Sequence, residues 1–508
     1  MDIDYSKELI EARQKIAGLQ WDLQCAQLKI QVLEEALRLA RIRKYGAPSE
    51  KLSDAQLQLL DFEPGVSADE VQAESEREPL PVAGRQRPKR PHPGRQELSP
   101  TLPRVEQVIA CAPEQCACQA CGKPMEVIGH DSSERLDVEP PRYFVRVTKR
   151  EKRACRSCQQ GGVVTAPLAP CIIEKGMVSD QVVIDTVVAK YGDHLPLYRQ
   201  SAILLRETGL DISRATMDGW VMRVGDLLIP LSGVMRRELL AGTYIQADET
   251  PVDVQMHDGR GRNHQAYLWQ YSRPGAGVVF DFRLGRERAG PKQFLGCFEG
   301  ILQTDGYAAY DRVGGPRIVH AACWAHARRK FYEAAKLSPA DRAALGIVAR
   351  IDELFAVDAR ARALNLDYAA RDALRQQEAR PLVSVVKRMI DAAGAAALPS
   401  SALGKAVRYS LALWPRLTKF LDHAELELST NLAENSMRPV ALGRKNWIHL
   451  GSPQAGPKVA AILSVVESCR RLKIGVRDYL AAVLPGLADT SIQRLAELTP
   501  AAWAARNQ

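Results

Sequence analysis

Between residues 243 and 332 the apolar pattern of the chain changes period, and that change limits what the chain can fold into. The runs TYIQADE, AYLWQY, VVFDFR, ILQTD and RIVHAA are short, apolar and bounded by turn residues, so they read as strands. RAGPKQFLGCF, between the third and fourth runs, reads as a helix, and a longer helix follows from about Ala325. Three strands, a helix, a strand and a helix predict a mixed α/β sheet. Residues 333–428 are rich in Ala and Leu, with breaks near Pro339, Pro381, Pro399 and Pro415. Strand patterning does not resume there, so this stretch reads as a helical insertion, with a last helical part over about 431–508.

The 508 residues exceed what one hydrophobic core usually serves. The expected organisation is a coiled coil over 1–50, a linker over 51–104, a Cys-rich unit over 105–172, read as zinc-binding from its cysteines, and a helical region over 173–235, read as DNA-binding from its helix-turn-helix pattern. A first core part follows over 236–335, the insertion over 336–428, a short core segment over 429–455 and a C-terminal helical segment over 456–508. Leu9, Ile16, Leu23, Ile30 and Leu37 recur every seventh residue, with Leu19, Ala26, Leu33 and Ala40 as a second seam. That heptad argues for a coiled coil and self-association; an amphipathic helix packed on its own chain is the alternative. The linker is first acidic, then Pro-rich and basic in PLPVAGRQRPKRPHPGR, a composition with little to bury.

Eleven cysteines are an odd number, and four form two Cys-x-x-Cys pairs, Cys118 with Cys121 and Cys155 with Cys158. In a long chain this favours structural zinc over a disulfide framework. Tyr143, Val145 and Val147 alternate with polar residues as in a strand between the two knuckles. Four thiolates leave no open coordination position, so such a zinc holds structure and does not catalyse. Cys111 and Cys116 stand just upstream as possible substitute ligands. The opening MDIDYSKELIEARQK reads as a charged helix rather than a signal peptide, and no apolar run reaches 18 residues. These features lead to the expectation of a cytoplasmic protein with no membrane span.

LYRQSAILLRETGLDISRATMDGWVMRV reads as helix, turn at Gly209 and second helix capped by Ser213. A helix-turn-helix there would present Arg214, Thr216 and Met217; a plain helical bundle is the alternative. Asp248 closes the first strand and Asp305 the fourth. Carboxylates at the C-terminal ends of strands stand where ligands usually bind. If those strands are neighbours, the two acids converge and offer hard oxygen ligands for magnesium. Glu434, in Asn431-Leu-Ala-Glu434-Asn435-Ser-Met-Arg438-Pro439, is the best third acid for a two-metal site, although Asn431 and Glu434 also fit a capping box. Glu249, Asp253, Asp281 and Asp311 are rival acids.

KYGAPSEKL, the paired Cys-x-x-Cys unit, ADETP, TDGYAAY, CWAHARRKF, NLAENSMRPVALGRKNW and SVVESCRRLKIGVRDYL follow one another along the chain. In that order they resemble the insertion sequence 66 family of bacterial transposases (TnpC-type) over nearly the whole length. The resemblance implies a DDE transposase with an RNase H-like core, interrupted by an all-helical insertion. It implies a catalytic triad of Asp248, Asp305 and Glu434 holding two magnesium or manganese ions. Cys323 and His326 resemble the Cys-x-x-His signature that follows the second Asp in many such cores, and with Asn431 they are candidate supporting residues; a core-packing role is the alternative for His326.

Arg328, Arg329 and Lys330, and Arg438, Arg444 and Lys445, are candidate phosphate contacts beside Arg214; a solvated basic face is the alternative. The net charge of +9 is thus gathered in local clusters rather than spread as a coat. The implied activity is cleavage at terminal inverted repeats and strand transfer into target double-stranded DNA. Two small accessory proteins are implied partners. An RNase H-fold nuclease without strand transfer and an inactive DNA-binding relative are the alternatives.

Overall fold

The computed structural model describes residues 143–154 and 163–507, apart from 257–258, 260, 339–340 and 448, with five positions of the N-terminal segment. Those five, Lys15, Leu23, Gln27, Ile30 and Leu33, are helical, and the seam residues Leu23, Ile30 and Leu33 are exposed. The rest of the heptad, the linker and Cys118, Cys121, Cys155 and Cys158 lie outside the described residues. The chain divides into two compact units, Leu80–Thr165 and the remainder. In the first, strands β1 (Lys152–Ala154) and β2 (Val163–Thr165) pair antiparallel with Arg153 opposite Val164. The strand expected at Tyr143, Val145 and Val147 is not formed: these residues are exposed coil, and among the described residues no strand lies beside them.

The second unit begins with three helices, α1 (Asp180–Tyr191), α2 (Leu197–Thr208) and α3 (Arg214–Leu240). The turn between α2 and α3 uses Gly209 at a φ of 73°, which a side chain would strain, and Ser213 caps α3 by accepting from the Thr216 amide at 3.1 Å. Arg214 and Thr216 are exposed at the start of α3, as expected, but Met217 is fully buried. A 27-residue helix must commit one face to the core, and Met217 begins that face, with Trp220, Val221 and Val224 continuing it.

Strands β3 (Tyr244–Val254), β4 (His264–Ser272) and β5 (Val278–Arg283) form an antiparallel meander. The chain then crosses through α4 (Ala289–Leu295) to β6 (Ile301–Thr304), which runs parallel to β3, and to β7 (Val319–Ala322), parallel to β6. The helical insertion follows: α5 (Trp324–Leu337), α6 (Arg342–Ala363), α7 (Tyr368–Leu374), α8 (Arg380–Ala396), α9 (Ala402–Ala412) and the short α10 (Trp414–Leu417). Pro381 does not end the helix as its sequence suggests. A single π turn, Arg375–Ala379, joins α7 to α8 and absorbs the carbonyl that the ring would strike. Then come α11 (Asn431–Trp447), β8 (His449–Leu450), α12 (Ala455–Arg471), α13 (Val476–Val483) and α14 (Pro500–Asn507). The sheet order is β5-β4-β3-β6-β7, with β8 beside β3.

Strand alternation divides the apolar residues between two cores. Ile245, Ala247 and Leu302 join α1–α3 and α12 on one face, whereas Tyr244 and Ile301 join the insertion helices on the other. The edge strand β5 is closed by α12 rather than left open. Ser468 Oγ accepts from Val278 N at 2.8 Å and donates to Val278 O at 3.0 Å, and Ser464 Oγ accepts from Phe280 N at 2.8 Å. Gly456 lets α12 approach, since a Cβ there would stand 2.2 Å from the Phe282 ring. Replacing Ser468 by Ala leaves the buried Val278 amide without its acceptor. Chemical denaturation of Ser468→Ala is expected to show a loss of about 1–3 kcal/mol, and Ser464→Ala a loss of the same order.

Candidate functional site

One side of β3 is covered by β4 over its whole length beyond Gln246. The other side is covered twice, by β6 at Tyr244–Gln246 and by β8 at Asp253–Val254. Between them, among the described residues, the edge from Ala247 to Val252 has no strand partner on that side. Asp248 stands at the start of this gap, inside β3 and not at its end as expected, because pairing with β4 carries the strand on to Val254. The last parallel pair is Gln246 with Gln303, so Asp248 and Asp305 both stand two residues further on, side by side on the insertion face. The Asp305 carboxylate accepts from Tyr307 N at 2.8 Å across a turn that needs Gly306 at a φ of 91°, and its backbone carbonyl accepts from the Tyr409 hydroxyl of α9.

Helix α11 spans the gap and carries Glu434 in its first turn. Its approach, residues 427–430, is tied down at every step. Gln303 Nε2 donates to Glu427 O at 2.7 Å, Trp324 N to Leu428 O at 2.8 Å and Gln246 Nε2 to Ser429 O at 2.9 Å. Thr430 N donates to the buried Cys323 Sγ at 3.3 Å, and Tyr244 Oη bonds Gln303 and accepts from Gln246. Beyond the gap, Arg444 donates to Pro251 O and the chain enters β8. Asn431 is the first helical residue rather than the cap, because Glu434 N bonds to Thr430 O at 3.0 Å. The Asn431 and Asn435 side chains are buried, and their Nδ2 groups have no acceptor among the described residues.

The three acids face one another with little positive charge between them. Among the described residues their ion pairs reduce to one, His326 Nε2 with Glu434 Oε1 at 3.5 Å. Burial, then the charges of Glu434, Glu249 and Asp305, push the Asp248 carboxyl up to about 8. Burial opposes charging of His326, but the facing Cys323 sulfur and the Glu434 and Asp305 carboxylates outweigh it and push its pKa up to about 10. Protons on Asp248 and His326 therefore supply the compensating charge. A divalent cation among hard carboxylate donors would supply it equally well, so the donor set fits magnesium or manganese. Among the described residues no group of three or more His, Cys, Asp or Glu side chains stands close enough to hold a metal ion as placed, so binding would require the three acids to draw together.

The rival acids are engaged elsewhere. Glu249, one residue from Asp248 and hence on the other face, accepts from Tyr310 Oη at 2.8 Å and pairs with Arg286 at 2.6 Å. Asp281 pairs with Arg283 and Asp311 with Arg416, each at 2.7 Å, and Asp253 lies within the field of Arg444. Two expected phosphate contacts are corrected. Arg328 is buried and donates twice to Asp352 of α6, so its charge holds helices together. Arg444 is half-buried against the β3 backbone. Lys330 and Lys445 are exposed, Arg329 and Arg438 are half-exposed, and Arg214 is exposed at the far α2–α3 turn. Sequence reasoning missed Gln246, Gln303 and Tyr244. Their signal was a repeated Gln-x-Asp in two strand runs, Gln246-Ala-Asp248 and Gln303-Thr-Asp305.

Residues 175–458 match the family model described as Transposase IS66 family. Residues 32–106 match one described as Transposase C of IS166 homeodomain, and 115–159 one described as zinc-finger binding domain of transposase IS66. The last match contains all four knuckle cysteines and supports zinc binding. The uncharacterized protein y4qI of Sinorhizobium fredii is 32% identical over 95% of this chain and 90% of its own. The uncharacterized protein y4jD of the same organism is 33% identical over 80% and 81%, and y4hP is 30% identical over 94% and 88%. No helix of the described residues is long and apolar enough to cross a membrane.

A cation held by Asp248 has to displace the proton that the raised pKa keeps there below about pH 8. Manganese affinity measured by calorimetry is therefore expected to climb between pH 6 and 8, by up to about tenfold per unit, and to level off above. Asp248→Asn should flatten that climb, and a pH-independent wild-type affinity would contradict it.

Proposed function

The chain belongs to the IS66 family of transposases, and on that premise we propose that it cuts DNA at transposon ends and joins them to target DNA at Asp248, Asp305 and Glu434. The observation that carries this reading is their convergence: parallel pairing sets the first two side by side, and α11 brings the third across the gap in β3. The sheet order supports an RNase H-like core, with antiparallel β3-β4-β5 followed by parallel β6 and β7.

Asp248, with Asp305 and Glu434 on either side, would hold two magnesium or manganese ions. When bound, these supply Lewis acidity that lowers the pKa of the attacking hydroxyl and neutralises the leaving oxygen. In the first step water attacks a phosphodiester and a 3′-hydroxyl leaves. In the second, that hydroxyl attacks a phosphodiester of the target, and one P–O bond forms as another breaks. No bond to the protein is needed. His326 holds Glu434 in place through their contact and keeps a positive charge beside the acids. The Nδ2 groups of Asn431 and Asn435, which have no acceptor among the described residues, would be donors for the DNA backbone, and Arg329, Lys330, Arg438 and Lys445 would track phosphates around them.

End recognition falls to the N-terminal half. Exposed Arg214 and Thr216 would enter the major groove from the start of α3. Cys118, Cys121, Cys155 and Cys158 would hold structural zinc, and the heptad would pair protomers for synapsis. Two small accessory proteins would assist.

The test is cleavage and joining of a terminal-repeat duplex with magnesium. Asp248→Asn, Asp305→Asn and Glu434→Gln are each expected to lower cleavage by about 10²–10³-fold while melting as the wild type does. Wild-type rates in these variants would overturn the assignment, and cleavage without joined product would make the protein a nuclease. Cys118→Ser or Cys155→Ser should lower bound zinc from one atom per chain towards none, as read by elemental analysis.

A further inference from the structure

The insertion between the second acid and the third contains a buried charge network that no step of the proposed chemistry uses. Its centre is Asp358 on α6, whose side chain is 2% exposed. Arg375 Nε donates to Asp358 Oδ1 at 2.8 Å and Arg371 Nη2 to Asp358 Oδ2 at 2.6 Å. Burial disfavours an ionised Asp358, but Arg375, Arg371 and Arg362 outweigh it and hold its carboxyl below the usual range. The network is therefore ionic, and removing any member leaves buried charge behind.

The same arginines reach out of the insertion. Arg375 stands at the first position of the π turn and is itself 1% exposed. Its Nη1 donates to the carbonyls of Phe420, His423 and Ala424 at 3.0, 3.2 and 3.3 Å, and its Nη2 to that of Leu426 at 2.8 Å. One guanidinium thus gathers the whole turn that leads out of the insertion. Arg371 Nη1 donates to Glu427 Oε1 at 3.0 Å, and Arg362 bonds the other oxygen of the same carboxylate. Glu427 is the crossing point. Its side chain belongs to the insertion's charge network, while its backbone carbonyl is held by Gln303 of β6, two residues before Asp305. Seven residues beyond Glu427 stands Glu434.

We infer that Glu427 and Arg375 are positioning residues for the third acid, through which the folded state of the insertion sets where Glu434 stands against Asp248 and Asp305. This rests on the proposed role of Glu434. The insertion is then a fixture rather than a spacer. Loss of its network would leave the sheet paired and the first two acids in register, but would leave residues 427–434 held only by the bonds from Gln303, Trp324, Gln246 and Cys323 and so loosen them. Isolated surface pairs of the insertion, such as Arg360 with Glu378, have no such reach and serve as controls.

The first test uses the intact wild-type chain. Native-state hydrogen exchange in mild denaturant is expected to show the Thr430 and Glu434 amides opening together with those of Arg371–Ala379, before the β3 amides open. Opening of Thr430 and Glu434 only with β3, or independently of the insertion, overturns the inference. The second test compares Glu427→Gln and Arg375→Lys with Arg360→Ala. The first two are expected to speed exchange at Thr430 and Glu434, weaken manganese binding about tenfold by calorimetry and lower kcat, with DNA KM little changed. Arg360→Ala should leave all four as they were.

A variant that melts lower yet keeps wild-type manganese affinity and exchange at Glu434 has lost only stability, and that result overturns the positioning role. If Glu434→Gln itself cleaves at the wild-type rate, the functional reading fails. If it is inactive while Glu427→Gln keeps wild-type metal binding and exchange, only this inference fails.

Discussion

Three paired residues on each of two strands set Asp248 and Asp305 side by side. Tyr244 to Gln246 lie beside Ile301 to Gln303 in parallel register, and each run is followed two residues later by an aspartate, Asp248 within β3 and Asp305 just past β6. A slip of one residue would turn one aspartate to the opposite face, where Glu249 is held by Tyr310 and Arg286. The register is locked by more than backbone bonds. Gln246, Gln303 and Tyr244 form a buried polar cluster whose hydrogen bonds run between the two strands and out to Glu427 and Ser429. A buried amide left unpaired is costly, so the cluster excludes registers that would separate its members. The same atoms that align the two aspartates also receive the segment that brings Glu434.

This economy explains how a core interrupted by about 100 residues can still assemble one site. The insertion is packed on the sheet through Tyr244, Ile301 and Trp324 and carries its own apolar core, so it folds against the strands and not apart from them. Its exit is fixed by charge and its re-entry by the sheet. After crossing the gap, α11 is closed off by β8, which returns to the β3 edge at Asp253. The gap is therefore a window with a strand on each side and a helix across it, and the acids stand at its rim.

Much of this was legible in the sequence. The strand runs, the crossover helix and the helical insertion follow from period and turn residues, and the family resemblance singled out Glu434 among several acids, whereas Asp248, expected to close its strand, lies inside β3. What escaped was what depends on long-range partners. Arg328 looks like part of a basic face, yet Asp352 on a neighbouring helix buries it. Pro381 reads as a break, yet a π turn carries the helix past it. Met217 sits where a recognition helix would present it, but α3 runs on to Leu240 and needs that face for the core. Tyr143 to Val147 alternate like a strand, but alternation makes a strand only where another lies beside it. Gln246 and Gln303 carried a visible repeat whose meaning needed the register.

Asp248, Asp305 and Glu434 are proposed to hold the catalytic cations together. Anomalous scattering from manganese in crystals of the intact protein tests this most directly. The account requires manganese peaks bounded by these three carboxylates, removable by excess magnesium. Peaks confined to Glu249, Asp281 or Asp311, with none among the three, would contradict it.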